Sequence, residues 1–331
     1  MSRTIPMMKL VPFFIIATLM CWPGWVNANP YQWALDFPNT DLSRFSVDLS
    51  EIRSVGAERD SIPAIVSPKF ASANSVSDLG QLEPILRVEV DGEVRGYPLR
   101  ILLWHELVND TINDTPVLIT YCPLCSSGVV FDRRNDGEAL MFKNTGLLRH
   151  YDTVIYDDVT ESWWQQFSGD ALAGSMSGKR LKAIPSRIQP FQQFVAENPD
   201  SKLLVPEDAE AWEYGKTPYV RMDSRNDAAA QFPYAIPEGI LPLDRVVVIG
   251  NAAWPLNRLR VKNRIETEAV ILTWSAGMNS VHDTRWIPFG RDIGGVQAWV
   301  KTDTGIMDAV HDTTFAFAFA AFRPNGTWHL E

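Results

Sequence analysis

The sequence predicts an α+β fold, predominantly antiparallel β with few short helices, with two copies of a related unit along the chain. Three observations predict it. Short runs rich in β-branched residues recur between turn signals, as in "RVEV", "PVLITY" and "GVVFDR". Helical spacing appears only in brief stretches such as "LRILLWHEL" and "PFQQFVAENPD". Finally, "RVVVIGNAAWPLNRL" (Arg245 to Leu259) echoes "RVEVDGEVRGYPLRIL" (Arg87 to Leu102), and "VILTWS" (Val270 to Ser275) echoes "VLITYC" (Val117 to Cys122). In the second copy Ser275 replaces the first cysteine and Met278 stands for the second, so the first copy carries the chemistry.

Taken in order, residues 1–28 read as a secretory signal: Arg3 and Lys9, an apolar run from Phe13 to Trp22, then Val26 and Ala28 at the cleavage position. The run is shorter than the roughly 20 residues a membrane span needs, and Pro12 and Pro23 flank it. The expected product is exported, periplasmic or extracellular, with no transmembrane span after cleavage. Cys21 offers lipidation as an alternative, against which stands the absence of a small residue just before it. Losing Arg3 and Lys9 takes the net charge from -10 to -12, which argues against a nucleic-acid partner.

Residues 29–75 carry mixed polarity and scattered prolines, the composition of an irregular N-terminal arm. Residues 76–198 form the cysteine-bearing α+β domain. Within it "RVEV", "DGE" and "VRGYPL" make a hairpin, Pro98 opens a short helix, and His105 falls on the inner face with Ile101 and Leu102. "PVLITY" and "GVVFDR" are strands flanking the cysteines. "PFQQFVAENPD" is a helix ended by Pro199; residues 199–243 are a Pro-rich connection. Residues 244–331 are the β-rich closing unit, in which "AFAFAAF" reads as a buried strand.

The solitary pair in "TYCPLCSSGVVF" is the chemical signal, because a third cysteine exists only in the leader. Covalent haem needs His after the second cysteine, and Ser126 stands there. No nucleotide-cradling glycine loop occurs either. A thioredoxin-like pair caps a helix that lowers the thiol pKa, whereas Gly128, Val129 and Val130 continue as strand. Strand, Cys-Pro-Leu-Cys, strand is the pattern of a metal knuckle, suited to Cu(I) first and Zn(II) second. His105 is the candidate third ligand; its alternative is a satisfied core histidine. Met141 and Met176 are thioethers that also suit core filling, and His150 reads as a surface residue.

These residues are similar to an uncharacterised family of exported bacterial and archaeal proteins, known only as a domain of unknown function. The resemblance rests on "RILLWHELVNDT", "TYCPLCSSGVVFDR" and "YDDVTESWWQQFSGDALAGSMSGKRL", between about Ile85 and Pro185. It implies that His105, Glu106, Asn109, Asp110, Arg133, Asp157, Thr160, Ser162, Trp164, Gln166 and Gly169 belong to one pattern, with Tyr121 and the cysteine pair at its centre, and it brings no activity. Ser162, Trp164 and Gln166 alternate at period two, so on a strand they would share a face. That face either lines a pocket, together with Tyr121, Glu106, Asn109, Asp110 and Arg133, or packs in the core.

Three functions remain open: a protein holding Cu(I) or Zn(II) through Cys122, Cys125 and His105; a thiol-disulfide oxidoreductase using Cys122 and Cys125; or a non-catalytic binding or scaffold module whose cysteines form a turn-locking disulfide. The sequence names no partner.

Overall fold

A computed structural model describes residues 30–224 and 232–331. The leader reading of 1–28 and the lipidation reading of Cys21 lie outside the described residues. Sheets dominate and pair mostly antiparallel, joined by a few seven-residue helices, so the α+β expectation holds. Among the described residues no helix is long and apolar enough to cross a membrane.

The chain opens with α1 (Pro30–Asp36), β1 (Ile52–Ser54) and β2 (Lys69–Ser72). The first unit follows: hairpin β3 (Pro84–Val90) and β4 (Glu93–Pro98), α2 (Leu99–His105), then β5 (Leu107–Ile112), β6 (Thr115–Cys122) and β7 (Ser127–Asp132). An excursion comes next, comprising β8 (Arg134–Asn135), β9 (Glu138–Ala139), β10 (Phe142–Arg149), β11 (Asp152–Asp157), β12 (Trp163–Gln165) and β13 (Ala171–Ala173). The unit ends with β14 (Lys182–Ile184), β15 (Ser186–Pro190), α3 (Phe191–Glu197) and β16 (Lys202–Val205).

The second unit is β17 (Arg245–Ile249), β18 (Ala252–Pro255), α4 (Leu256–Lys262), β19 (Arg264–Glu266), β20 (Val270–Ser275), β21 (Gly295–Thr302), β22 (Gly305–Asp308), β23 (Asp312–Phe315), α5 (Ala316–Phe322) and β24 (Thr327–Trp328). Its sheets run β23-β17-β18-β24 and β19-β20-β21-β22; those of the first unit run β15-β3-β4-β16 (with β2 at the edge) and β5-β6-β7-β14. The last strand of each first sheet pairs parallel, β16 on β4 and β24 on β18, while the others pair antiparallel. Both α2 and α4 start after a proline in extended conformation, Pro98 (φ -60, ψ 129) and Pro255 (φ -59, ψ 127). Both stop at a residue with positive φ, Glu106 (58) and Asn263 (57). Such a residue ends a helix by letting its own N–H reach back to the last turn. The two units therefore share one order of elements and one set of pairings.

Registers correct the details of the echo. Ile85 faces Pro98 and Val246 faces Pro255, so Arg245 takes the place of Pro84 and not of Arg87; the second hairpin is shorter at its turn. Cys122 pairs with Ser127 across a turn at 123–126, whereas Ser275 pairs with Gly295 across a long loop at 276–294. Ser275 is thus the counterpart of Cys122, but Met278 lies in a loop with no positional equivalent.

Other boundaries also shift. The N-terminal arm is not wholly irregular: β1 and β2 each extend a sheet, against β10 and β16, and Trp33 and Phe37 are buried. The Pro-rich connection contributes β16 to the first unit's sheet. "AFAFAAF" is a helix, α5, the counterpart of α3. Its alternation imitates a strand, but enclosure buries Ala316 through Ala320 on all sides, and a helix hidden all round needs no polar stripe. One hydrophobic core joins the units, gathering Leu86, Tyr97, Ile119, Tyr121, Cys122 and Cys125 with Phe315 and Phe317.

Candidate metal centre

The site is built where two turns meet. Cys122 ends β6, and the Pro123–Ser126 turn carries Cys125 before Ser127 resumes the ladder. Ser126 takes φ 54, a left-handed value that closes the tight bend. Opposite lies the β10–β11 hairpin, closed by the pair Arg149 and Asp152. Its central residues, His150 (φ 52) and Tyr151 (φ 66), are both left-handed, as a two-residue hairpin demands, yet neither is the usual Asn or Gly. Left-handed non-glycine residues cost about 1–3 kcal/mol each and persist where surroundings fix them. Here His150 is held by the Tyr234 hydroxyl at 3.2 Å and by Glu51 at 3.3 Å.

This hairpin delivers two oxygens to the sulfurs. The Tyr151 carbonyl lies 3.4 Å from Cys125 Sγ and 3.8 Å from Cys122 Sγ. The ligating atoms of Cys122, Cys125 and Asp152 all lie within 4.8 Å of one another. All three residues are 0% exposed, and the two thiols are free. Asp152 Oδ1 accepts hydrogen bonds from Gln165 Nε2 (2.6 Å) and the Phe167 amide (3.0 Å). Its Oδ2 is buried, and the neighbours left to the carboxyl are the two thiols.

Burial dominates the electrostatics. It raises the Asp152 carboxyl to about 7 against the hydrogen bonds from Gln165 and Phe167. It also pushes the Cys125 thiol well up, reinforced by neighbouring Cys122. Glu106, at the end of α2, is raised to about 7 by burial; its hydrogen bond from Thr153 Oγ1 (3.2 Å) opposes this, and the Asp152 charge adds to it. Burial thus biases Asp152, Glu106 and Cys125 towards their protonated forms.

His105 does not join the sulfurs. Its Nδ1 lies 2.8 Å from the Pro63 carbonyl and its Nε2 2.8 Å from the Tyr214 hydroxyl, with Trp212 edge-on to the ring. Both nitrogens are committed, because α2 aims the ring at 63 and 212–214 and away from the Cys-Pro-Leu-Cys turn. The third group beside the sulfurs is Asp152, which the sequence does not mark. No spacing signals it; the only local hint is a hairpin turned on His-Tyr without glycine.

Most of the other expected pocket residues tie strands together. Asn109 bonds both the amide (2.8 Å) and carbonyl (2.9 Å) of Phe142. Asp110 accepts from Arg95 and Tyr97, both at 2.6 Å, and Arg133 donates to the carbonyls of Asp110 and Leu140. Trp164 donates to Asp157, Gln166 to Thr120, and Ser162 accepts from the Met176 amide. Of Ser162, Trp164 and Gln166 only Trp164 lies within β12, and the other two flank the strand. Tyr121 braces the turn through a hydrogen bond with Ser126, and Glu106 faces the cluster across Thr153. The sulfurs of Met141 and Met176 sit against Arg133 and Asn135 instead.

Fold and site together define a class: a two-unit α+β protein whose first unit encloses two thiols and a carboxylate that could hold a metal ion. The chain belongs to the family described as Protein of unknown function (DUF3179), matched over residues 59–326, a span that takes in both units and the cluster. No curated protein and no solved structure matches it.

Proposed function

We propose that this is an exported metalloprotein that holds one Zn(II) ion at Cys122, Cys125 and Asp152. The observation that carries the reading is the Asp152 carboxylate buried against two buried thiols, the three groups within 4.8 Å of one another. Burying a carboxylate and thiolates without a counter-charge costs several kcal/mol, on the order of that for other buried ions. A divalent cation between the two sulfurs and the carboxylate offsets that cost.

The distances fit. Zn–S near 2.3 Å and Zn–O near 2.1 Å place the sulfur and oxygen corners of a tetrahedron about 3.6 Å apart. The Tyr151 carbonyl stands 3.4 and 3.8 Å from the two sulfurs, the position of a fourth corner. Oxygen donors favour Zn(II) over Cu(I), which prefers an all-sulfur set. Charge agrees, since two thiolates and a carboxylate leave a smaller buried excess around a divalent ion. Four protein donors make a closed site of the kind that stabilises a fold. Export rests on the N-terminal sequence, whose basic, apolar and small-residue regions fit a secretory signal.

Metal analysis of protein purified without an affinity tag tests this. About one zinc per chain is expected, lost in the Cys122→Ser/Cys125→Ser double variant and reduced in Asp152→Asn. Equal metal in the wild type and the double variant rules the site out. Preferential uptake in a Cu(I) competition would move the assignment to copper. The thiol-disulfide reading, with Cys122 attacking and Cys125 resolving, is favoured by the closeness of the two sulfurs, but both are 0% exposed, whereas a reactive cysteine must be reachable by its partner. A pair that stays reduced through a glutathione titration excludes it.

A further inference from the structure

The loop at 276–294 replaces, in the second unit, the turn that carries the cysteines in the first. It folds back over the first unit, where the Asn279 amide donates to the Leu82 carbonyl and His282 reaches the cysteine turn. His282 is 0% exposed, and its Nε2 lies 2.7 Å from the carbonyl of Pro123, inside the Cys-Pro-Leu-Cys turn. Arg245 Nη2 stands 3.3 Å from His282 Nδ1. A guanidinium only donates, so Nδ1 accepts and the ring proton sits on Nε2, aimed at Pro123. Burial and the Arg245 charge lower the imidazole to about 4, which keeps this neutral tautomer in place.

Arg245 is itself fixed. Its Nη2 lies 2.9 Å from Asp223 Oδ2, an oxygen that also accepts from Ser280 Oγ at 2.6 Å. The second unit grips the same turn again at Cys125, whose carbonyl accepts from Thr314 Oγ1 (2.7 Å) and from the Phe315 amide (2.9 Å). Just beyond, Asp312 Oδ1 takes the Gly128 amide at 3.1 Å. Carbonyls on either side of Leu124 are thus held from across the unit boundary, and they set where the two sulfurs point.

We propose that His282 is a positioning residue for the zinc site: the second unit, which has no sulfur turn of its own, supplies the clamp that aims the first unit's thiols. The inference rests on the metal reading above. Groups that orient metal ligands without touching the ion commonly change affinity by about 10–100-fold when removed.

The test loads the full-length chain with Co(II) alone and reads affinity by chelator competition and geometry from the sulfur-to-cobalt and d–d absorption bands. His282→Ala is expected to keep its far-ultraviolet circular dichroism but lose about tenfold or more in affinity, with altered d–d bands. His282→Gln, whose amide can still donate to Pro123, is expected to recover much of the loss. Thr314→Val, nearly isosteric, is expected to lose less and serves if His282→Ala does not fold. Wild-type affinity and spectrum in His282→Ala, or in both His282→Gln and Thr314→Val should the alanine variant not fold, would overturn the clamp. Hydrogen exchange of the amides at 124–128 in metal-free protein decides the clamp separately: faster exchange in the variants supports it, unchanged exchange sinks it. A wild type that takes no cobalt would therefore end the metal reading while the exchange comparison still judged His282.

Discussion

At the residue scale, Glu106 gives the most direct check on the buried enclosure. Its folded carboxyl sits at about 7, whereas an exposed glutamate titrates near about 4.3. The folded state therefore binds this proton more tightly than the unfolded chain does. Its contribution to stability is full below about pH 4 and is lost as pH rises towards 7. His282 works in the opposite direction, because its folded value of about 4 lies below that of a free imidazole, so its contribution is lost as pH falls from about 6.5 to 4. In urea melts with chelator present, Glu106→Gln is expected to gain on the wild type steadily between pH 5 and 7.5; His282→Gln is expected to gain on it between pH 6.5 and 5. Flat difference curves would mean that neither group is enclosed as described. The cysteine pair was legible in the sequence because its spacing and flanking strands carry the information locally. Asp152 was not, because its role depends on which hairpin packs across the turn, and an inward His105 reveals its face without revealing what lies opposite.

At the element scale, the repeated hairpin and helix were legible because proline placement and β-branched runs act over a few residues. The helix α5 was misread because Ala-Phe alternation satisfies a two-residue period while full burial removes the polar stripe that marks a helix. Register resolves it: Gly96 pairs with Leu203 and Ala253 with Trp328, and Phe194 of α3 and Phe319 of α5 occupy matching positions, both 0% exposed. A Cβ at Gly96 would lie 2.7 Å from the Phe194 ring and 2.8 Å from Leu203. Gly96→Ala is accordingly expected to cost about 1–3 kcal/mol by overpacking. Phe319→Ala should cost about 3–5 kcal/mol by opening a cavity against β17 and β18. Chemical denaturation measures both; a neutral Gly96→Ala would contradict the close packing of α3 on β4.

At the scale of the whole molecule, the seam between the units carries a buried ionic cluster. Asp223 sits against Arg245 and, at 2.8 Å, Arg291. Burial alone would raise its carboxyl, but Arg245, His282, Ser280 and Arg291 bring it down to about 2. Arg245 has little access to water, its side chain being 7% exposed, whereas Arg291 is 40% exposed and can rehydrate. Asp223→Asn strands the Arg245 charge beside a neutral imidazole, and removing one partner of a buried pair typically costs about 3–5 kcal/mol. Because Arg245 also orients His282, and the core clusters Phe315 and Phe317 with the cysteine turn, that loss is not confined to the second unit. A single unfolding transition is expected, shifted as a whole in Asp223→Asn, with circular dichroism and tryptophan fluorescence coinciding. Fluorescence reports on both units, through Trp163 and Trp164 in one and Trp254 in the other. Two transitions, with only one displaced by the substitution, would show instead that the units fold independently and that the contacts across the seam are incidental to stability.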